Sequence, residues 1–195
     1  MAKLIYVTNV SLDGYIEDER GDFNLFPVDD EVFVCYTDIV RSAGTFLYGR
    51  RQYEAMAVWE TNDALAAQSD LTADFANAWQ AASKVVYSGS ISSASTADTT
   101  VERRFDPGAV KEMKAAADSD LTIGGANLAT QAFKAGLVDE CQLFVLPVAV
   151  GGGKPGLPTG MRTDLDLVDE RRFRNGVVHL RYRPREQEAT ARSAR

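Results

Sequence analysis

Asp120-Leu121-Thr122-Ile123-Gly124-Gly125-Ala126-Asn127-Leu128 is a short β-rich run that stops at two glycines and gives way to a helical pattern through Phe133. A strand that ends at Gly-Gly and turns directly into a helix brings bare backbone close to whatever lies beyond it. The first helical turn also carries free N–H groups and a partial positive charge, which suit a phosphate. The spacing matches neither G-x-G-x-x-G nor G-x-x-x-x-G-K-S/T. Taken alone, the stretch fits a phosphate cradle and an unliganded tight turn about equally well.

The neighbouring segments repeat the theme. Thr45 to Tyr48 reads as a short strand, and Gly49-Arg50-Arg51-Gln52-Tyr53 turns from it into a helix. Two cations at a helix start are disfavoured by the dipole unless an anion joins them or water solvates them. Lys84 to Tyr87 is a third strand, ending in Ser88-Gly89-Ser90. Lys3 to Val10 is apolar on both faces, the pattern of a strand in mid-sheet. Helical periodicity runs from about Asp29 to Ala43, up to Ala82, and from Pro107 to Ala117, with Trp59 to Asp70 as a polar connection. Cys141 to Val150 is a long strand. Leu165 to Val168 and Val177 to Tyr182 close the chain, with Asn175-Gly176 as the hairpin signal between them.

This alternation predicts a three-layer α/β/α sandwich, a mixed and mainly parallel sheet ending in an antiparallel hairpin. Ligands of such sheets bind beyond the carboxyl ends of the strands, where the three junctions fall. One domain over 1–184 is expected, followed by a polar tail over 185–195. On the first helix, Asp29 precedes Val32 and Phe33 by one turn on the same face. It is either the helix cap or a carboxylate at the edge of an apolar pocket.

Composition removes several alternatives. There are 21 Lys and Arg against 28 Asp and Glu, a net charge of −7 that argues against nucleic acid and anionic membranes as partners. With one histidine and two distant cysteines, the chain has almost nothing from which to build a zinc site or a Ser-His-Asp triad. His179 lies in an alternating run and reads as a packed strand residue. Without a long apolar segment or a signal peptide, the chain reads as cytoplasmic.

Four pieces in order carry a resemblance: Asn9-Val10-Ser11-Leu12-Asp13-Gly14-Tyr15-Ile16, Tyr48-Gly49-Arg50-Arg51-Gln52-Tyr53-Glu54, Leu121-Thr122-Ile123-Gly124-Gly125-Ala126, and Gly136-Leu137-Val138-Asp139-Glu140 with Pro147 and Gly151-Gly152-Gly153. From Lys3 to about Tyr182 the chain resembles the dihydrofolate reductase-like superfamily. Within it, the chain is similar to the C-terminal reductase domain of the bifunctional riboflavin-biosynthesis deaminase/reductase. The resemblance implies NADPH as cofactor. It assigns the pyrophosphate to Gly124, Gly125, Ala126, Asn127 and Leu128, and the adenosine end to the Gly49 junction with Arg50 and Arg51. Ser88 is then expected at the 2′-phosphate, and Asn9 and Ile16 at the nicotinamide carboxamide. Gln52 stands where many members have threonine, and the deaminase half is missing.

The expected function is NADPH-dependent reduction of a C=N or C=O bond in a small pteridine- or pyrimidine-like substrate. Phe33 is the expected substrate contact and Asp29 the proton relay. A homodimer is expected, with the Cys141–Val150 strand and its neighbours near the sheet edge burying surface against a partner. The alternative is a non-catalytic nucleotide-binding or regulatory dimer that keeps the cleft.

Overall fold

The apolar run near the amino terminus forms strand β1 (Leu4–Ser11), with hydrogen-bonded neighbours on both edges. In the computed structural model, which describes residues 1–185, the elements that follow are β2 (Tyr15–Glu17), α1 (Asp30–Ser42), β3 (Ala43–Gly49), α2 (Arg50–Met56), α3 (Val58–Thr61), α4 (Asp63–Ala66) and α5 (Asp70–Ala81). Then come β4 (Ser83–Tyr87), β5 (Thr99–Glu102), α6 (Pro107–Ala116), β6 (Asp120–Gly124), α7 (Ala126–Lys134), β7 (Glu140–Leu146), β8 (Lys154–Pro155), β9 (Leu165–Arg172) and β10 (Val178–Pro184). The main sheet has the order β5-β4-β3-β6-β1-β7-β10-β9. Its first six strands are parallel, and β10 runs antiparallel to both β7 and β9. The three-layer α/β reading and its closing hairpin hold.

Alternation along the strands sends successive side chains to opposite faces. On one face Leu4, Tyr6, Leu121 and Ile123 pack against Val110 of α6 and Leu128, Ala129, Ala132 and Phe133 of α7. On the other, Phe46 and Tyr48 meet Tyr53 of α2, Phe75 and Trp79 of α5, and Phe33, Tyr36 and Val40 of α1. Val32 of α1 reaches Phe144, Leu146, Phe173 and Val177 beneath the hairpin. Local chemistry sets the helix starts: Ser69 and Thr72 form a capping box on α5, and Asp106 caps α6 with Pro107 in its first turn.

His179 is buried in β10 as its pattern predicts, stacked on Phe144 at 4.2 Å and 8°. Its Nε2 lies 3.1 Å from Gln142 Oε1, while Gln142 Nε2 donates to Glu140. That relay makes Nε2 the protonated nitrogen of the neutral ring. Burial, with the Arg181 charge nearby, pushes the imidazole down to about 4.

Several expectations need correction. Strand β7 stops at Leu146 and is internal, flanked by β1 and β10, so it offers no sheet edge to a partner. The edge on that side is β9, whose side chains are mostly exposed. The Trp59–Asp70 connection contains two single-turn helices, α3 and α4. No helix follows Ser88-Gly89-Ser90: an irregular segment runs to β5, and the Ser88 hydroxyl accepts from the N–H groups of Ser90 and Ile91 to shape it. The 185–195 tail lies, beyond Arg185, outside the described residues. No helix among the described residues is long and apolar enough to cross a membrane.

Candidate nucleotide and substrate cleft

Strands β3 and β6 are parallel neighbours with Tyr48 opposite Gly124, so their two glycine junctions lie side by side. Gly125 has φ +96° and ψ 117°, a backbone conformation that side chains rarely adopt. A Cβ there would sit 3.8 Å from Gly49 N and from Gln52 Cβ, in the gap between the junctions. A Cβ on Gly124 would meet Gln52 Cγ at 3.0 Å and Tyr48 Cδ1 at 3.1 Å. Helix α7 has no side-chain cap, which leaves its first N–H groups for an anion. The junctions therefore fit a phosphate-bearing ligand: backbone bare of side chains at Gly49 and Gly125, and uncapped donors at the start of α7.

From these junctions a cleft of about 480 Å³ opens on the α1 side of the sheet. Its floor comes from Val7, Asn9, Phe46, Tyr48 and Thr122, and one wall from Phe33, Trp59 and Phe75. Ile16, Glu17, Arg51 and Lys154 also line it. Strand β2 pairs with β8, which sets Glu17 against Lys154. The loop leading to β2 is pinned by Asp13, which accepts from Ser11 Oγ (2.6 Å), Gly151 N (2.7 Å) and Val150 N (3.1 Å). Those hydrogen bonds, the Ser11 one foremost, hold its carboxyl down to about 2. The Ser-Leu-Asp-Gly motif is thus a clamp between the loop after β1 and the triple-glycine turn, and it fixes the rim.

Of the residues expected at the site, Asn9, Ile16, Phe33, Arg51, Gly124, Gly125 and Ala126 line the cleft. Gly49 borders it through its backbone beside Gly125. Arg50 points away, exposed and paired with Glu54 at 3.2 Å. Asn127 is exposed on α7, and Leu128 is buried in the α7 core. Ser88 is buried in its own loop and is not part of the lining. Asp29 caps α1, accepting from Val32 N at 3.0 Å. It borders a separate open depression with Asp30, Glu31 and Arg174. The helical-face reading placed it at the pocket edge, but a residue before the helix has extended backbone, here φ −90° and ψ 171°, and turns its carboxylate back onto the first turn.

Other lining residues were not assigned individually to the site from the sequence. The Tyr36 hydroxyl donates to Asn9 Oδ1 at 2.6 Å, which leaves the Asn9 amide N–H groups free for a ligand. Burial raises the Tyr36 pKa, so the hydroxyl keeps its proton. Tyr36 follows Phe33 by three residues on the same helical face, so the spacing contained that signal. Trp59, Phe75 and Lys154 arrive from distant segments and had no local signature. Arg51 is held by Glu17 at 3.1 Å. No cluster suited to a metal exists among the described residues.

With this geometry in place, known proteins supply the context. A Bacillus subtilis (strain 168) protein named YyaP, itself uncharacterized, is 28% identical over 187 residues, covering 92% of this chain and 94% of its own. Among solved structures, a Shewanella sp. PV-4 protein assigned by name to riboflavin biosynthesis superposes with TM-score 0.73 at 16% identity, over 95% of this chain and 100% of that one. A pyrimidine reductase-like protein of Corynebacterium diphtheriae gives 0.64 at 12% identity, over 95% and 92% of the two chains. The Thermotoga maritima diaminohydroxyphosphoribosylaminopyrimidine deaminase/5-amino-6-(5-phosphoribosylamino)uracil reductase gives 0.60 at 16%, over 94% of this chain but 57% of its own length. These similarities are of fold. The family model for the RibD C-terminal domain matches residues 2–179, and the chain belongs to that family.

Proposed function

We propose that the protein is an NADPH-dependent reductase acting on a C=N or C=O bond of a small ring compound. The observation that carries this is the pairing of the Gly49 and Gly124-Gly125 junctions on adjacent parallel strands, opening directly into the cleft. Membership of the RibD C-terminal family supports a reductase-like role. When bound, the dihydronicotinamide supplies the hydride.

The chain's own residues supply placement. The Gly125 junction and the first turn of α7 receive phosphate, and Arg51 adds a cation that faces the cleft. Asn9, oriented by Tyr36, offers its amide donors to a carboxamide. Phe33, Trp59 and Phe75 give the cleft an apolar wall. Glu17 is the carboxylate in the lining, and it is tied to Arg51, so the proton for the reduced heteroatom comes from water entering the cleft.

Fluorescence titration with NADPH and NADH tests the reading. Arg51→Ala should weaken NADPH by about 1.5–3 kcal/mol, the worth of a hydrogen bond to a charged group. Arg50→Ala should change it little, because that side chain points to Glu54. Failure of the wild-type protein to bind either nucleotide would remove the proposal.

A further inference from the structure

The distribution of charge within the cleft says more about its ligand. Phe33, Phe75 and Trp59 form a connected aromatic wall, with ring centroids 5.1 Å apart for Phe33–Phe75, 4.6 Å for Trp59–Phe75 and 5.9 Å for Phe33–Trp59. Val40 and Met56 extend the apolar lining. Phe33 and Trp59 are only partly buried, so the wall keeps ring surface open to the cavity.

The charged lining residues are Glu17, Arg51 and Lys154, and they stand together: the Glu17 carboxylate pairs with Arg51 at 3.1 Å, and Lys154 is the backbone register partner of Glu17 in the β2–β8 ladder. Arg51 also belongs to the turn after Gly49, beside the junction that suits a nucleotide phosphate. The two cations of the lining belong to that charged group, Arg51 being already paired with Glu17. A charged substituent held against the aromatic wall would therefore lose water to apolar ring surface, and burying an unpaired charge is heavily penalised. A flat neutral ring there would instead cover apolar surface and gain edge or stacking contacts.

We infer that the substrate is an uncharged, unphosphorylated planar ring compound held against Phe33, Trp59 and Phe75. This differs from the phosphoribosylated uracil in the name of the Thermotoga maritima neighbour. For its chemistry the inference rests on the reductase reading: the ring's C=N or C=O carbon takes the hydride, its heteroatom takes a proton from water, and NADPH leaves as NADP⁺. The binding preference itself does not depend on NADPH.

Calorimetric titration of the full chain with 2-naphthol and 2-naphthyl phosphate, which differ by one phosphate on the same ring system, decides it. Neutral 2-naphthol should bind at least about tenfold more tightly, and Trp59→Leu or Phe33→Leu should weaken it by about tenfold through loss of ring contacts. Absence of 2-naphthol binding, or equal or tighter binding of the phosphate, overturns the inference; in the second case Lys154→Ala should abolish the phosphate's advantage. Unchanged 2-naphthol affinity in both folded variants also overturns it. The wild-type comparison stands whatever the stability of the variants. Neutral-ring binding without any NADPH binding would sink the reductase reading and leave this one intact.

Discussion

Gly125→Ala isolates the backbone requirement of the cradle from ordinary packing. The residue sits at φ +96° and ψ 117°, and its nearest neighbours would lie 3.8–4.0 Å from a new Cβ, so no collision arises in the free protein. The cost is conformational, about 1–3 kcal/mol for a side chain forced into such a region. Gly49→Ala is the matched control. Its φ −75° and ψ 160° suit any residue, and its Cβ would touch only Leu128 Cβ at 4.0 Å. That variant should stay within about 1 kcal/mol of wild type, since an alanine at a compatible site restricts mainly the unfolded chain. For a chain of this size each kcal/mol moves the midpoint by about 2–4 °C, so Gly125→Ala should melt about 2–12 °C lower and Gly49→Ala close to wild type. The methyl would also occupy the gap between the junctions, so NADPH affinity should fall by about tenfold or more in Gly125→Ala. Thermal melts and cofactor titration on the same preparations check both. Equal melting points for the two variants would refute the strain argument, and unchanged affinity would refute the cradle.

The remaining predictions concern single side chains. His179 is the only histidine, and its folded value of about 4 lies below the ordinary 6.5, so the unfolded chain binds its proton first. Stability should therefore be full above pH 6.5 and fall as pH drops from about 6.5 to 4, by about 1.4 kcal/mol for each unit separating the two values; denaturant melts of His179→Gln should lack that segment. Asp13 is held down to about 2, so its contribution should be present above about pH 4 and lost between about 4 and 2. Asp13→Ala should lack that acid limb, and hydrogen exchange should show Val150 and Gly151 losing protection. Asp29→Ala should cost about 1 kcal/mol and Asp29→Asn almost nothing, with turnover unaffected in both, as befits a cap. A large loss of turnover in the Asn variant would restore a catalytic role.

The fold was legible where patterns are local. Alternation, the two-sided apolar β1 and the glycine stops together specify a parallel sheet and the end at which its glycine junctions and cleft lie. What escaped is what depends on strand order. Cys141 to Leu146 reads as an edge or a centre equally well until β10 is known to pair with it. Arg50 and Arg51 are indistinguishable in sequence, and only the helix phase sends one to Glu54 and the other into the cleft. Ser88 shared the strand-then-polar signature of the other junctions, but no helix follows it, so its hydroxyl turns inward onto its own loop. Trp59 and Phe75 belong to the site only because α1, α3 and α5 pack together over β3.

The strand order has a consequence for how the chain is made. β1 leaves the ribosome before the other strands of its sheet, yet its partners are β6 on one side, through Leu4 with Leu121, and β7 on the other, through Tyr6 with Cys141. A nascent chain ending before Asp120 thus carries an apolar strand with both edges open, and β3 can complete its pairing with β6 only later. Pairings this distant in sequence form slowly and leave sticky edges exposed meanwhile. Synthesis of this protein therefore favours a chaperone's shelter until the second half has emerged, and a stop codon within α6 yields an aggregating fragment rather than a smaller domain.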